Sequence, residues 1–412
     1  MADESSSSKE AWCEVPTEHC VIGTFGAASF MNDMGSDIVF SIWPTFVLLL
    51  GGNALLIGIL DGLGDFIVNL SKGFSGFLSD KIQRRKPFIW SGYLAGSMSR
   101  ILYGITPSWH WLVPARVLDR AGKIRGAPRD AIVADISSTE TRGRNFGILR
   151  TLDNAGAVLG IFITIAFVTF AFPLLEFQGF TLLGSLQLLF LVAAVPTLIG
   201  AILIIVKIPD YRKQIGKPVF RVGGISHNLA LFIVLSFIFS LAFFSYSFVT
   251  LYASLFLEVP ILNPYLKVTI AYLIFTLAAA LLSAPFGRLS DRIGRRAILF
   301  LGYCVFALMC LVFIMVPNDL TMLAAMILYG ASIGAIVPTQ KSFVAELAPV
   351  DLRASLLGLY QMLIGLAALA ANILAGIIWV LYFPAASFFL ALVLTIIAAL
   401  LLPLVKESQP SS

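Results

Sequence analysis

The sequence predicts an all-α membrane protein with twelve membrane-spanning helices, arranged as two tandem halves of six. Composition is the first of three observations behind this prediction: 58% of the 412 residues are hydrophobic and only 12% are charged. Soluble domains carry roughly 25% charged residues. A chain this apolar cannot cover its surface in water, so lipid must solvate most of it. This composition excludes a soluble enzyme and a nucleic-acid-binding protein.

An internal repeat is the second observation. The run 287–296 (GRLSDRIGRR) has a near-copy at 76–85 (GFLSDKIQRR), which lies 211 residues upstream. Several matches at one offset, close to half the chain length, indicate a duplication into two tandem halves. Further matches at the same offset pair Asp135 with Glu346 and Arg142 with Arg353.

Hydropathy is the third observation, because a helix that crosses a bilayer needs about 20 mostly apolar residues. Twelve windows of the sequence meet this condition. The predicted spans of the first half are 21–49, 54–75, 87–105, 109–128, 146–172 and 180–206. Those of the second half are 227–257, 265–287, 297–316, 320–341, 355–381 and 384–404. The predicted domains are a polar tail (1–20), the first half (21–206), a linker (207–226), the second half (227–404) and a short tail (405–412).

The distribution of positive charge between the spans predicts the orientation in the membrane. Every even-numbered connection carries Lys or Arg, whereas the odd-numbered connections carry neither. Because positively charged loops stay in the cytoplasm, we expect both chain termini on the cytoplasmic side of the cytoplasmic (inner) membrane. The cations of the even-numbered connections include Lys81, Arg84, Arg85, Arg142, Arg292, Arg295 and Arg353.

The repeated run has the pattern Gly-x-x-x-Asp-(Arg/Lys)-x-Gly-x-(Arg/Lys), which resembles the signature of the major facilitator superfamily. The copy at 287–296 matches in full, whereas the copy at 76–85 has Gln83 where the family usually has Gly. The stretch from Glu346 to Arg353 also resembles a cytoplasmic motif of this superfamily. The resemblance implies two six-helix bundles, related by a pseudo-two-fold axis along the membrane normal, with a small-molecule substrate bound between them. It implies transport by rocking of the bundles, and the sequence shows no nucleotide-binding run, metal-ligand spacing or cofactor motif.

Two further stretches, 32–37 and 116–130, resemble a bacterial branch of this superfamily whose members are often described as drug or solute exporters. In the fifth predicted span, Gly156 and Gly160 resemble part of the Gly-Pro motif of proton-coupled antiporters, with Ile161 where Pro is expected. Glycines at this spacing are also typical of close helix packing. We favour the packing interpretation.

The resemblance also implies two charge lattices that latch the bundles together at the cytoplasmic face while the protein is open to the outside. The alternative is that these cations only satisfy the preference for positive charge in the cytoplasm. The first lattice comprises Gly76, Asp80, Arg84, Arg85, Asp135 and Arg142, and the second comprises Gly287, Asp291, Arg295, Arg296, Glu346 and Arg353.

Charged residues inside the predicted spans are candidates for the substrate and proton site, since one charge at the bilayer centre costs about 2.5–3.5 kcal/mol. Asp33 and Asp37 lie four residues apart, which places them on one face of the first helix. The second half has almost no charge at comparable depth and offers neutral, aromatic side chains instead. The candidates are Asp33, Asp37, Asp61, Asp65, Arg116, Arg120 and Asp153.

We hypothesise that one of the four aspartates of the first two spans carries a proton. A carboxylate beside a cation can change its proton affinity as water access alternates between the two sides of the membrane. Arg116 and Arg120 would tune that carboxylate or bind an anionic group of the substrate. The alternative is a static network of ion pairs that holds spans 1, 2 and 4 together.

The sequence therefore predicts a proton-coupled secondary transporter that exports a small organic molecule as an antiporter. The first alternative is proton-symport uptake of an organic anion or a metal chelate, which Arg116 and Arg120 would suit. Other classes are a membrane enzyme, for which we find no catalytic cluster, and a non-transporting receptor or scaffold, against which the embedded charges argue. The expected partners are the substrate, protons and the lipid bilayer, with no nucleic acid, and we expect a monomer.

Overall fold

A computed structural model describes residues 18–82, 84–138, 140–210, 225–257, 265–315, 318–349 and 352–406. Within these residues all regular structure is helical, which confirms the all-α class. Most of the predicted polar tail (1–20), of the linker (207–226) and of the short C-terminal tail (405–412) lies outside the described residues.

The described part of the first half contains nine α-helices that join into six segments. The first segment is α1 with α2, the fourth is α5 with α6, and the fifth is α7 with α8; each pair continues across a short break. The helices are α1 (Glu18–Phe40), α2 (Trp43–Leu49), α3 (Ala54–Ile82), α4 (Lys86–Gly104), α5 (Leu112–Ala121), α6 (Gly126–Ile136), α7 (Arg142–Ala166), α8 (Phe172–Phe177) and α9 (Leu182–Lys207).

The described part of the second half contains seven α-helices, again in six segments, because α10 and α11 continue one another. The helices are α10 (His227–Ala242), α11 (Tyr246–Phe256), α12 (Leu266–Ile293), α13 (Arg295–Met315), α14 (Asp319–Leu347), α15 (Arg353–Leu381) and α16 (Pro384–Leu401). The twelve segments correspond to the twelve predicted spans.

Local sequence explains several of the breaks. Pro44 lies in the first turn of α2, where its missing N–H needs no partner and its fixed φ suits the start of a helix. The Ser245 side chain caps α11 by accepting a hydrogen bond from the N–H of Ser247 at 3.2 Å. Gly294 has a φ of 96°, which favours glycine, and it makes the tight turn between α12 and α13. The fully matching copy of the repeated run therefore has a glycine where the backbone needs one.

Nine helices or helix pairs of the described chain are long and apolar enough to cross a membrane on length and composition. The three other segments are α1 with α2, α4, and α5 with α6. They carry buried charges, among them Asp37, Arg100 and Arg116, which lower their hydropathy. These least apolar segments hold four of the seven candidate site residues, Asp33, Asp37, Arg116 and Arg120.

The segments pack as two bundles. In the first bundle α1 packs against α7 and α9, and α4 packs against α5 and α9. In the second bundle α14 packs against α12 and α13, and α16 packs against α10 and α13. The bundles meet most extensively along α3 and α15, with smaller contacts of α7 with α12 and of α2 with α11. This arrangement confirms the predicted fold of two six-helix bundles.

Because consecutive segments run in opposite directions, the ends that carry the repeated runs lie on one side of the molecule. We call this side the basic face; its described residues include 84–86, 136–138, 140–142, 293–295, 347–349 and 352–353. The connections at 50–53, 105–111 and 382–383 lie on the other side, which we call the opposite face.

Candidate functional site

A cavity of about 990 Å³ lies between the two bundles, in the half of the molecule nearer the basic face. The first half of α7 forms one wall, through residues such as Arg150 and Asn154. Residues 272–288 of α12 and the second half of α14 form the facing wall, where Thr276, Arg288 and Lys341 line the space. Both bundles therefore enclose the cavity.

An adjoining cavity of about 310 Å³ lies between α3 of the first bundle and α10, α14 and α15 of the second. It shares Val337 and Lys341 with the larger cavity. Asp65, Asn69 and Lys72 line it from α3, so three polar side chains of the second predicted span face this space. Pockets of roughly 300–1,000 Å³ accommodate small organic molecules.

Asp61 lies one turn before Asp65 on α3 and is only 2% exposed. Arg116 of α5 forms an ion pair with its carboxylate. The indole N–H of Trp43 donates a hydrogen bond of 3.0 Å to the same carboxylate. The hydroxyl of Ser245 donates another, of 2.7 Å, from the second bundle. Three donors therefore satisfy the Asp61 carboxylate, and one of them belongs to the other bundle.

Asp37 makes a second hydrogen bond between the bundles, since the Tyr272 hydroxyl on α12 donates to its carboxylate at 2.7 Å. The N–H of Ser245 donates to the Asn372 side chain on α15 at 2.7 Å, which fixes the start of α11. Added to Gly58, a Cβ would lie 2.2 Å from the backbone oxygen of Asn372, so α3 and α15 touch at this depth. Towards the opposite face α2 packs against α11. The cavity is closed at this end.

Arg116 and Arg120, both predicted as site residues, are buried within the first bundle. The guanidinium of Arg116 lies 4.3 Å from the centre of the Trp43 ring. That of Arg120 lies 4.4 Å from the centre of the Phe40 ring, and its Nε lies 3.6 Å from Asp119. Aromatic faces and carboxylates thus compensate both charges.

Asp33 and Asp153 contact residues of the first bundle. Asn32 donates to Asp33 at 2.8 Å, and Arg125 lies 3.9 Å from the same carboxylate. Arg129 lies 3.7 Å from Asp153. The predicted aspartates therefore separate by environment. Asp37, Asp61 and Asp65 each accept a hydrogen bond from the second bundle, and Asp65, whose donor is the Asn372 side chain at 3.5 Å, also lines a cavity. Asp33 and Asp153 pair with arginines of their own bundle.

Sequence reasoning missed Trp43 and Tyr272, which donate to two of these aspartates. A polar-tipped aromatic residue in an apolar span gives no charge or spacing signal, although buried Tyr and Trp usually find a hydrogen-bond partner. It also missed Arg288 and Lys341 as site residues. Arg288 follows the eighth predicted span and Lys341 ends the tenth, and positive charge is common at such positions.

The predicted charge lattices lie at the basic face, where the described ion pairs are within bundles. Arg85 lies 2.6 Å from Asp135 in the first bundle. Arg295 pairs with Glu346 in the second bundle. Arg85 and Asp135, both members of the first predicted lattice, thus contact each other.

The other lattice residues have separate environments. Arg84 lies 4.0 Å from Asp210, and Arg142 donates to the backbone oxygen of Ala134 at 3.1 Å. Arg296 donates to the backbone oxygen of Val405 at 3.2 Å, Asp291 and Arg353 are exposed, and a Cβ at Gly287 would meet open space. The surroundings of Gly76, and the side chain of Asp80, lie outside what the structure describes. Asp80 and Asp291 lie within the last turns of α3 and α12, because both helices continue past the apolar windows.

Comparison with known proteins agrees with the fold. A profile of the Major Facilitator Superfamily matches residues 25–269 and 259–412. The uncharacterized MFS-type transporter MJ1317 of Methanocaldococcus jannaschii is 36% identical over 381 residues, which is 92% of each chain. The multidrug resistance protein MdtH of Sodalis glossinidius is 30% identical over 148 residues, which is 35% of this chain and 36% of that protein.

Solved structures show the same fold at low sequence identity. A POT family transporter in complex with 5-aminolevulinic acid has a TM-score of 0.76 at 12% identity, over 94% of this chain and 96% of that chain. The nucleoside transporter NupG has a TM-score of 0.72 at 12% identity, over 94% of this chain and 100% of that chain. The family profile and the full-length relative together establish that this chain belongs to the Major Facilitator Superfamily of membrane transporters.

Proposed function

We propose that the protein is a proton-coupled secondary transporter that moves a small organic molecule by alternating access. The basic face lies in the cytoplasm, as the distribution of positive charge supports. The cavity between the bundles is then open to the cytoplasmic side and closed to the other. A transporter needs such a cavity to open on each side in turn, with the substrate bound between the two bundles.

The observation that carries this proposal is the pair of hydrogen bonds from Ser245 to Asp61 and from Tyr272 to Asp37. In each, a hydroxyl of the second bundle donates to a carboxylate of the first. A hydroxyl binds an ionised carboxylate more strongly than a neutral acid. Protonation of either aspartate therefore weakens the closure and shifts the protein towards the state that is open at the opposite face.

This geometry also ranks the candidate proton carriers. Asp37 and Asp61 lie where protonation acts on the contact between the bundles. Asp65 lines the cavity, where it meets the substrate or water first, and it also accepts a longer hydrogen bond of 3.5 Å from Asn372 of the second bundle. Asp33 and Asp153 are paired with arginines of their own bundle, so a proton on either would act on the closure indirectly.

Export in exchange for protons is the direction we propose, supported by the partial similarity to the multidrug resistance protein MdtH. The second candidate is proton-coupled uptake of an organic anion or a metal chelate. Its specific support is the positive charge that lines the cavities, where Lys72, Arg150, Arg288 and Lys341 are found. Proton antiport and proton symport are equally compatible with a cavity that is closed at the opposite face.

The test uses purified protein in liposomes that carry an internal pH dye, with an imposed proton gradient and a panel of organic anions, cations and neutral compounds. We expect one class of compound to move protons through the wild type. Asp61→Asn and Asp37→Asn are each expected to abolish this coupled movement. Glu176→Gln is the matched control, because Glu176 is an exposed carboxylate at the opposite face that lines neither cavity.

The direction of proton movement separates the two candidates. Protons that leave the liposomes as the compound enters support antiport and export, whereas protons that enter with the compound support uptake. Undiminished coupling in both aspartate variants would contradict the assignment of Asp37 and Asp61. Compound movement that never changes the internal pH would contradict proton coupling itself.

A further inference from the structure

We infer that the substrate is a small organic anion with more than one negative charge, held by four cations that line the two adjoining cavities. This inference rests on the proposed transport function and names its substrate class. The four cations are Lys72 of α3, Arg150 of α7, Arg288 of α12 and Lys341 of α14. They come from both bundles, so an anion between them would contact both halves of the transporter.

The four cations are set back from the ends of their helices. Lys72 lies ten residues before the end of α3, which is about 15 Å at 1.5 Å per residue. Arg150 lies eight residues after the start of α7, about 12 Å from that end. Arg288 and Lys341 lie five and six residues before the ends of α12 and α14. All four cations therefore lie more than one helical turn inside their helices and not in the loops of the basic face.

No carboxylate among the described residues lies within ion-pair distance of any of the four. This distinguishes them from Arg116, Arg125 and Arg129, each of which has a carboxylate partner. Lys72 and Lys341 repel each other, as do Lys341 and Arg150, whereas Asp65 attracts Lys72 from beyond ion-pair distance. A bound anion would relieve this repulsion and supply the missing counter-charge.

Among the described residues that line the two cavities, Asp65 is the one carboxylate, against four cations. The cavities therefore have a positive balance that attracts anions and repels organic cations. More than one negative charge on the substrate is needed to match that balance. Carboxylate, sulfonate and phosphate groups all satisfy it, because Arg and Lys bind each of them through charge-assisted hydrogen bonds.

The remaining walls favour an organic anion over an inorganic one. Phe239, Phe243 and Phe275 line the cavities from the second bundle and provide apolar, aromatic surface. Gln340 and Gln361 add neutral hydrogen-bonding groups on the same side. A ligand with an apolar body and charged groups would place the body against the phenylalanines and the charges between the cations.

Positive charge near the cytoplasm is ordinary in membrane proteins, so the experiment must separate cavity cations from surface cations. The cavity variant is Arg150→Gln/Lys341→Gln. The matched control is Arg144→Gln/Lys207→Gln, which also removes one arginine and one lysine. Arg144 lies on the same helix as Arg150, and both control residues are exposed and line neither cavity.

Binding is measured through the thermal midpoint of the purified protein at fixed ionic strength, because a ligand that binds only the folded state raises the midpoint. The three probes share a naphthalene ring system and differ in charge. Naphthalene-2,6-dicarboxylate is a dianion, naphthalene-2,6-dicarboxamide is neutral, and 2,6-bis(aminomethyl)naphthalene is a dication. We expect the dicarboxylate alone to stabilise the wild type. Its apparent Kd should rise at least about tenfold in the cavity variant and stay unchanged in the control, since each charge-assisted contact accounts for roughly a factor of ten.

Stabilisation by the amide or the diamine, or by no probe, would overturn the inference. So would an equal loss of binding in the cavity and control variants. Phosphatidylglycerol has the same anionic chemistry, and displacement of the dicarboxylate by vesicles of this lipid would assign the cations to lipid headgroups and overturn the substrate assignment. Binding of the dicarboxylate needs no proton gradient. This binding test therefore stays valid even if the liposome experiment shows no proton coupling.

A second measurement reads the charge of the cavity independently of ligand shape. Thr276→Cys, in a background with the native cysteines replaced by serine, is labelled with an anionic or a cationic methanethiosulfonate reagent. The anionic reagent should react several-fold faster, and the preference should fall in the cavity variant but not in the control. Equal rates for the two reagents in the wild-type background would contradict a cavity that selects anions.

Discussion

The buried ion pair between Asp61 and Arg116 links the stability of the first bundle to its contact with the second. Both side chains are at most 2% exposed, so neither charge can be hydrated when the other is removed. Asp61 retains the donors Trp43 and Ser245 without Arg116. Arg116, without Asp61, keeps mainly its contact with the Trp43 ring, while its Nε and Nη1 already have no described hydrogen-bond acceptor. The two partners are therefore unequal.

A double-mutant cycle tests this inequality. Removal of one partner of a buried pair costs about 3–5 kcal/mol, because it leaves an uncompensated charge. We expect Asp61→Asn to lie at the upper end of this range and Arg116→Gln at the lower end. The double variant should cost less than the sum of the two. The free energy of unfolding is measured by titration with SDS in mixed micelles, and additive single effects would contradict a direct interaction.

At the residue scale the sequence predicted the charged half of the site better than the neutral half. Asp37 and Asp61 stand out because ionisable residues are rare within apolar spans. Their partners Tyr272 and Ser245 lie in the second half of the chain and look like ordinary membrane residues. Pairing across more than 180 positions depends on how the bundles dock, which residue spacing within one helix does not encode.

At the element scale, α7 approaches α1 closely because glycines replace larger side chains. A Cβ at Gly156 would lie 2.2 Å from the backbone oxygen of Phe30, and one at Gly160 would lie 2.2 Å from that of Met34. Backbone atoms cannot move aside as the end of a side chain can. The two glycines therefore have the packing role that we favoured from the sequence.

Substitution of these glycines should separate the two helices. We expect Gly156→Ala and Gly160→Ala each to destabilise the protein by about 1–3 kcal/mol, as overpacking does in other cores. Gly143→Ala on the same helix is the control, since nothing lies within 4 Å of its added Cβ. Thermal midpoints of the three variants in detergent provide the measurement. A midpoint unchanged in Gly156→Ala would show that α1 and α7 can move apart at no cost.

Hydropathy did not predict several helix ends and breaks. The second, eighth and tenth spans were predicted to end at 75, 287 and 341, whereas α3, α12 and α14 continue to Ile82, Ile293 and Leu347. Hydropathy reports the part of a helix that lipid or protein surrounds, and a helix can continue into water with polar residues. The break at 243–245 was not predicted either, because Phe243 and Phe244 are as apolar as their neighbours and serines such as Ser245 also occur within the helices on either side.

At the scale of the whole molecule, the structure has one open and one closed end. The cavities lie towards the basic face, and the layer formed by Asp37, Asp61, Ser245 and Tyr272 separates them from the opposite face. The sequence predicted two bundles and a site between them, because the repeat and the family signature carry that information. It did not predict which end is open, since both states share one sequence and differ only in how the bundles dock.

Accessibility of single cysteines tests this asymmetry in a membrane. Asn154→Cys lines the cavity and Glu176→Cys lies exposed at the opposite face; the native cysteines are replaced by serine. In vesicles, a membrane-impermeant maleimide should label the first from the cytoplasmic side and the second from the other side. Labelling of Asn154→Cys from the outer side alone would contradict both the orientation and the open end.

The same cysteine-labelling assay tests whether Asp37 controls which end of the molecule is open. Asp37→Asn replaces the ionised acceptor of the Tyr272 hydroxyl by a neutral amide, so the closed end loses a charge-assisted hydrogen bond. Because the two states exchange, weaker closure at one end raises the population that is open at that end. We expect Asp37→Asn to add labelling of Asn154→Cys from the outer side and to reduce it from the cytoplasmic side.

Asp319→Asn, which changes a carboxylate in the first turn of α14 at the opposite face, is the control and should leave both rates unchanged. Equal labelling in the wild type and in Asp37→Asn would mean that this aspartate does not control the closure, and the proton would then have to act elsewhere.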